Sequence, residues 1–253
     1  VRPSGECLHI VQDRLREKRV LKKIGLPCTP FAPATTEEEL STALDEIGLP
    51  AVIKTAAWGY DGKGQAIVRS DVEARQAWDA MGRQSAILEK LIDLQSEVSV
   101  LAGRAVSGDT VTFGPIVNRH VNHILDVSTY PADEVKSIAA EAAEIARATA
   151  EGLNAVGLIC VSQFEQQVRT VCGLAPGSME LDVPAAAMAN LLGDLWQRGT
   201  PPWSTVLDDP RLRLHLYGKT DARNGRKMGH LTATAATVQE AEHAVTQGRL
   251  RLS

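Results

Sequence analysis

No run of this 253-residue chain approaches the ~20 consecutive apolar residues that a membrane-spanning helix needs. The opening Val1-Arg2-Pro3-Ser4 lacks the charged-then-apolar order of a signal peptide. It also lacks an initiator Met, which predicts a natural N-terminus further upstream. The four cysteines (Cys7, Cys28, Cys160, Cys172) are scattered and form no C-x-x-C pair. A reducing cytosol therefore suits the chain better than a disulfide framework, and Cys160, in an apolar run, reads as a small buried hydrophobe. A net charge of −4 with both signs interleaved argues against a nucleic-acid surface. There is no internal repeat and no low-complexity tract. What is present is an ordinary 44% hydrophobic fraction and enough length for two or three packed layers. The expectation is a cytoplasmic protein of mixed fold with neither membrane nor nucleic-acid partners.

Leu8, Val11, Leu15 and Ile24 recur at helical spacing and predict one helix, stopped by Gly25 and Pro27. Thr36 and Glu39 make a capping box for a helix ending at Gly48-Leu49-Pro50. Ala51-Val52-Ile53 and Ala66-Ile67-Val68 read as the strands of a hairpin. Ser70 and Glu73 cap a helix carrying Ala77, Trp78 and Met81 on one side. Ser85 to Leu91, Val98 to Ala102 and Val111 to Val117 read as strands, and Asp133 to Ala150 as one long alanine-rich helix. Ala155 to Val161 has a buried-strand pattern that turns helical at Ser162 with no turn residue between. Connections usually take ~2–6 residues, so this point reads as a join and not a loop. Pro184 opens an apolar helix to Leu192, and Leu212 to Tyr217 and His230 to Thr234 are strands around a basic turn. Thr237 starts the last helix. Helices mixed with short strands predict α+β or α/β architecture in several lobes.

Four stretches carry chemistry. In Lys54 to Gln65, three glycines within six positions (Gly59, Gly62, Gly64) surround Lys63, and Lys54 ends the preceding strand. Mobile amides and two cations suit nucleotide phosphates. The order is neither a Walker A loop nor a dinucleotide fingerprint, and a hairpin tip with incidental lysines is the competing reading. Second, an apolar strand, Ile87 to Ile92, holds Glu89 and is followed by Glu97. Open edge amides there would take a purine and the acid a ribose, although such carboxylates are more often solvated. Third, Asn118 to Leu125 contains His120 and His123, three apart and so on opposite faces of a strand. No Cys, Asp or Glu completes a metal site at short range, so His120 reads as a polar or phosphate contact. Fourth, Lys219, Arg226 and Lys227 lie among glycines in a turn that could clamp a phosphate monoester, with a solvated basic turn as the alternative.

Taken together and in this order, these stretches resemble the N5-carboxyaminoimidazole ribonucleotide synthetases, ATP-grasp enzymes of purine biosynthesis. The resemblance runs through Gln12-Asp13-Arg14 with Glu17-Lys18, the Gly59–Gln65 loop and Asn118 to Leu125. It continues in Ser162-Gln163-Phe164-Glu165, Asn190-Leu191-Leu192-Gly193 and Gly225-Arg226-Lys227-Met228-Gly229-His230. It implies an α+β ATP-grasp fold, with 1–48 a helical remainder after a nucleotide-fold domain and 49–92 a lid. Residues 93–195 would form the core and 196–253 a small β-rich C-terminal lobe. The implied reaction uses ATP to convert bicarbonate to carboxyphosphate, whose carboxyl group is captured by the amine of 5-aminoimidazole ribonucleotide. By the same resemblance Arg14, Lys54, Gly59, Tyr60, Asp61, Gly62, Lys63, Gly64 and Gln65 contact ATP. Glu89, Lys90, Leu91 and Ile92 would line the adenine, Glu97 the ribose and His120 the nucleotide region. Tyr60, Asp61 and Lys63, with Lys219, Arg226 and Lys227, would hold the ribonucleotide. A homodimer is implied as well.

Two departures stand out. The family's N-terminal nucleotide-fold domain precedes the point where this sequence starts. The family also follows the strand ending at Val161 with a segment whose acidic residues hold Mg2+ and whose neighbours bind phosphate and bicarbonate. Here Cys160-Val161 meets Ser162 directly, so no metal ligand and no catalytic residue is assigned within the chain. Either the natural protein contains that segment, or the chain is a true deletion that binds nucleotide without turnover. Loss of a central strand would expose buried backbone groups, which favours the first.

Overall fold

The computed structural model describes residues 3–57, 64–158 and 182–252, with 169, 172, 174, 175 and 177 besides. Two compact units emerge. One comprises Val1–Gln95, Ala102–Val111 and Ile145–Gly177, the other Ser96–Leu101, Thr112–Glu144 and Ser178–Ser253.

The first unit opens with α1 (Gly5–Val11) and α2 (Arg14–Lys23), not with one continuous helix. The break is chemical: the Asp13 carboxylate accepts from the Arg16 amide and caps α2, while Asp13 itself bridges to Ala57. Next come β1 (Phe31–Ala34), α3 (Glu37–Ile47), β2 (Ala51–Thr55), β3 (Gln65–Val68), α4 (Asp71–Ala80) and β4 (Ala86–Lys90). Thr36 and Ser70 cap α3 and α4 by accepting from the Glu39 and Glu73 amides. Those glutamates accept from the Thr35 and Arg69 amides and not from the cap residues, so the predicted box at Thr36 is only half formed. Gly48 leaves α3 at φ 69°. The strands pair antiparallel in the order β1-β4-β2-β3. One face of this sheet (Ala32, Ala34, Ala51, Ile53, Val68, Ala86, Leu88) is buried under Leu40, Leu44 and Ile47 of α3 and Ala74 and Trp78 of α4. The opposite face carries Lys54 and Glu89.

The second unit is built on strands in the order β10-β11-β9-β7-β6-β5, of which the last three residues of β5 and the first two of β6 fall in the first unit. These are β5 (Glu97–Arg104), β6 (Thr110–Val121), β7 (Ile124–Tyr130), β9 (Ala185–Leu192), β10 (Leu212–Leu216) and β11 (Lys227–Ala235). Within the first unit, the short β8 (Gly157–Leu158) pairs with Gly103 and Arg104 at the end of β5. A 3-10 turn (Asp133–Ile138) and α5 (Ala139–Gly152) replace the single predicted helix. Later in the chain come α6 (Ser204–Leu207) and α7 (Val238–Leu250).

Two further expectations are corrected. Residues 185–192 form a strand, not a helix: β9 pairs with β11 from Ala185 to Leu192 and with β7 from Ala186 to Ala189. Alanine favours helix intrinsically, but two waiting neighbour strands override that weak preference. The small residues are put to use, since Ala187, Ala189 and Leu191 pack beneath Ala241, Ala244 and Val245 of α7. The second correction is β6, which runs on to Val121 and turns through Asn122 (φ 50°) and His123 (φ 64°) into an unforeseen β7. His123 therefore lies in the hairpin turn and not on the strand with His120. The proposed join at Val161-Ser162 and the environment of Cys160 lie outside the described residues.

Candidate active site

On the polar face of the four-stranded sheet, cross-strand register sets the site. Phe31 of β1 and Val52 of β2 both stand opposite Glu89 of β4, and Lys54 stands opposite Ile87. Side chains at paired positions share a face, so Phe31, Glu89, Val52, Lys54 and Ile87 form one surface. Helix α2 lies against it through Leu15, which clusters with Ala56 and Ile87. Arg14, Leu15 and Lys18 project together because residues three and four apart share a helix face. Arg14 Nη1 donates to the Thr55 carbonyl (2.8 Å), and the Arg14 amide to that of Ala56 (2.8 Å).

Glu89 is the electrostatic centre of this surface. It is only 6% exposed, yet its carboxylate meets two lysines: Lys54 Nζ at 2.6 Å on Oε2 and Lys18 Nζ at 3.1 Å on Oε1. Burial alone would push the Glu89 pKa up. The Lys54 hydrogen bond and charge, joined by Lys18, more than reverse that and hold it below the usual carboxylate value. Burial raises the neighbouring Glu17 instead, against the pull of Lys18 and Arg14. The sequence alone singled out Lys54 and Glu89 but gave Lys18 no role. The signal available was its position four residues after Arg14 on one helix face.

One detail of the sequence reading is overturned. β4 lies inside the sheet, with β1 on one side and β2 on the other, so its edge amides are not open to a purine. The Lys90 amide donates to the Pro30 carbonyl and that of Leu91 to Pro50. Lys90 closes β4 on the face opposite Glu89, and Ile92, just beyond, is well exposed. At the hairpin tip, Gly59, Tyr60, Asp61, Gly62 and Lys63 lie outside the described residues. At its base the Gly64 carbonyl accepts from the Thr55 amide, and Gln65 pairs with Lys54. Gly64 holds φ 74°, and a Cβ there would come within 2.9 Å of Thr55 Oγ1, so glycine is required on both counts.

The remaining predicted residues belong to the second unit. Glu97, at the start of β5, and His120, near the end of β6, come together with His120 Nδ1 3.4 Å from Glu97 Oε2. Lys219, Arg226 and Lys227 flank the turn between β10 and β11. That turn is pinned in place: the Gly193 amide donates to the Arg226 carbonyl (2.8 Å), and the Gly225 amide to Asp194 Oδ2 (3.0 Å). A Cβ on Gly193 would overlap the Arg223 carbonyl, which explains a glycine after Asn190-Leu191-Leu192. Arg226 Nη1 donates to the Asp221 carbonyl (2.7 Å) and lies 3.3 Å from its carboxylate. Lys219 Nζ donates to the Lys227 carbonyl (2.6 Å) and sits over the Tyr217 ring. Tyr217 Oη and His230 Nδ1 are 2.8 Å apart, and His230 stacks on His215. Among the described residues no group of three or more His, Cys, Asp or Glu side chains could hold a metal ion. The described residues thus hold no ready-made cluster of ligands for Mg2+.

A lysine pair about a buried carboxylate, at the base of a hairpin whose sequence is glycine-rich, suits an ATP-grasp ligase, and the family match assigns the chain to that class. Residues 19–176 match the ATP-grasp domain family, and residues 186–244 the phosphoribosylaminoimidazole carboxylase C-terminal domain. The N5-carboxyaminoimidazole ribonucleotide synthase of Bacillus subtilis is 36% identical over 91% of this chain and 68% of its own length. Two solved N5-carboxyaminoimidazole ribonucleotide synthetases are also similar. The one from Thermus thermophilus is 33% identical with a TM-score of 0.82, covering 100% of this chain and 74% of that one. An ADP complex is 30% identical with a TM-score of 0.84, covering 97% and 72%. The chain belongs to the N5-carboxyaminoimidazole ribonucleotide synthase family. It spans 28% of a bifunctional purine synthesis protein of Dictyostelium discoideum to which it is 32% identical. The alignment with the Bacillus protein extends over 267 residues, more than the whole 253-residue chain, although only 91% of the chain takes part. The surplus is sequence within the aligned span that has no counterpart here.

Proposed function

We propose that this protein carboxylates 5-aminoimidazole ribonucleotide with bicarbonate at the expense of ATP, giving N5-carboxyaminoimidazole ribonucleotide in purine synthesis. The observation that carries this reading is the Lys18–Glu89–Lys54 array at the base of a glycine-rich hairpin, in a chain matching both domain families. Lys54 and Arg14 supply positive charge where a triphosphate would lie. Glu97 and His120 would contact ribose and nucleotide, and residues 49–92 would act as a lid that excludes water from carboxyphosphate. Such chemistry depends chiefly on positioning and charge neutralisation around the transferring phosphoryl group. The cationic turn of Lys219, Arg226 and Lys227 would take the sugar phosphate. Asp221 holds Arg226 oriented until a dianion competes for it. Mg2+ ligands would come from the segment that the resemblance places after Val161, and the protein would work as a cytoplasmic homodimer.

ADP release by the natural full-length protein, with bicarbonate present, tests the reading directly. Release that rises several-fold on adding 5-aminoimidazole ribonucleotide is expected; release indifferent to that amine would overturn it.

A further inference from the structure

Glu89 presents a problem for the nucleotide site. Its carboxylate is buried and ionised, and Lys54, the cation expected to meet the phosphates, is its nearest partner at 2.6 Å. A lysine drawn off to a phosphate would leave a buried carboxylate uncompensated, and such a charge is strongly destabilising. The structure supplies a second cation for this event. Lys18 Nζ holds the other carboxylate oxygen at 3.1 Å, and its side chain is the less exposed of the two, 18% against 26%. Lys18 is carried by α2, which is anchored to the sheet by Leu15 packed on Ala56 and Ile87, and its Nζ lies 5.7 Å from the centroid of the Phe31 ring. Lys54 stands at the mouth of the glycine hairpin, where Gln65 pairs with it across the strands.

We propose that Lys18 is a positioning residue for nucleotide binding, retaining the Glu89 carboxylate so that Lys54 can transfer from Glu89 to a nucleotide phosphate. This rests on the reading of Lys54 as a phosphate contact. Lys18 touches no nucleotide; it lowers the electrostatic cost of moving Lys54. Removing Lys18 leaves Lys54 as the sole partner of a buried anion, and the nucleotide must then break that pair.

The test is ADP affinity of the full chain by isothermal titration, across Lys18→Met, Lys54→Met and the double variant, with circular dichroism as the folding check. With Lys54 present, Lys18→Met is expected to weaken ADP on the order of tenfold. With Met at 54 the same substitution should change affinity less than twofold, because no lysine remains to be trapped. Lys18→Arg, which keeps the charge, should bind within about threefold of the parent chain. Equal losses from Lys18→Met in both backgrounds would mean a direct or merely structural role and would overturn the proposal, as would no loss in either. Should Lys18→Met fail to fold, Lys18→Gln is measured in its place, with the same outcomes deciding. A parent chain that binds no ADP would defeat the nucleotide-site reading itself. A parent chain that binds, with Lys18→Met unaffected, would defeat this inference alone.

Discussion

At the scale of single residues, function here is a matter of which charges are paired and with what. Lys54 is poised between Glu89 and the hairpin mouth, so on the proposed function Lys54→Ala removes a cation that would meet the nucleotide phosphates. In the full-length protein its ATP-dependent rate is expected to fall on the order of a hundredfold. An unchanged rate of ADP release would refute the site assignment. Arg226 presents a planar fork already oriented by Asp221. For Arg226→Ala, steady-state kinetics should show KM for 5-aminoimidazole ribonucleotide rising roughly tenfold or more while ATP affinity holds. The reverse pattern would assign Arg226 to the nucleotide instead. Glu89 has a pH signature. Its folded-state pKa lies below the ordinary value of 4.5, because Lys54 and Lys18 favour the carboxylate more than burial opposes it. Its contribution to stability is therefore complete above about pH 4.5 and disappears as pH falls through the lowered folded value. Urea midpoints measured from pH 7 downward should drop on acidification below that point. Glu89→Gln should flatten that part of the profile, and an identical slope in both proteins would remove Glu89 from the account.

At the scale of elements, the ends of helices and the registers of strands carry the information. Helix α7 closes the core of the second unit, and its N-terminus is a complete capping box: Thr237 accepts from the Glu240 amide while Glu240 accepts from the Thr237 amide. Thr237→Ala leaves a helix N-terminal amide unsatisfied and should cost about 1 kcal/mol in urea unfolding. A loss under about 0.3 kcal/mol would show that packing alone fixes that end. The same helix explains the run of alanines in β9. Gly248 brings α7 so close to the sheet that a Cβ there would lie 2.7 Å from Leu212 Cδ1. Small residues on the strands beneath and a glycine in the helix serve one close approach, which local propensity cannot anticipate.

At the scale of the whole molecule, the Bacillus relative carries sequence within the aligned span that this chain does not. If the natural protein contains it, an intact-protein mass should exceed 27.2 kDa. A mass at that value would make the chain a true deletion and predict nucleotide binding without turnover, because the metal ligands assigned to the segment would be gone.

The sequence by itself settled the family, the helix caps at Thr36, Ser70 and Thr237, the glycine hairpin and the fold class. Each of these is written in local spacing: a hydroxyl three residues before a carboxylate, or glycines where a backbone must turn through positive φ. Tertiary structure decided what depends on neighbours distant in the chain. It turned 185–192 into a strand by placing β7 and β11 on either side, and it closed the edge of β4 by adding β1. It also joined Lys18, Lys54 and Glu89, 36 and 35 residues apart for the two lysine-to-lysine and lysine-to-glutamate steps. No local pattern encodes that triad. A buried carboxylate finds its counterions through cross-strand register and helix packing, and both are fixed only once the sheet has formed.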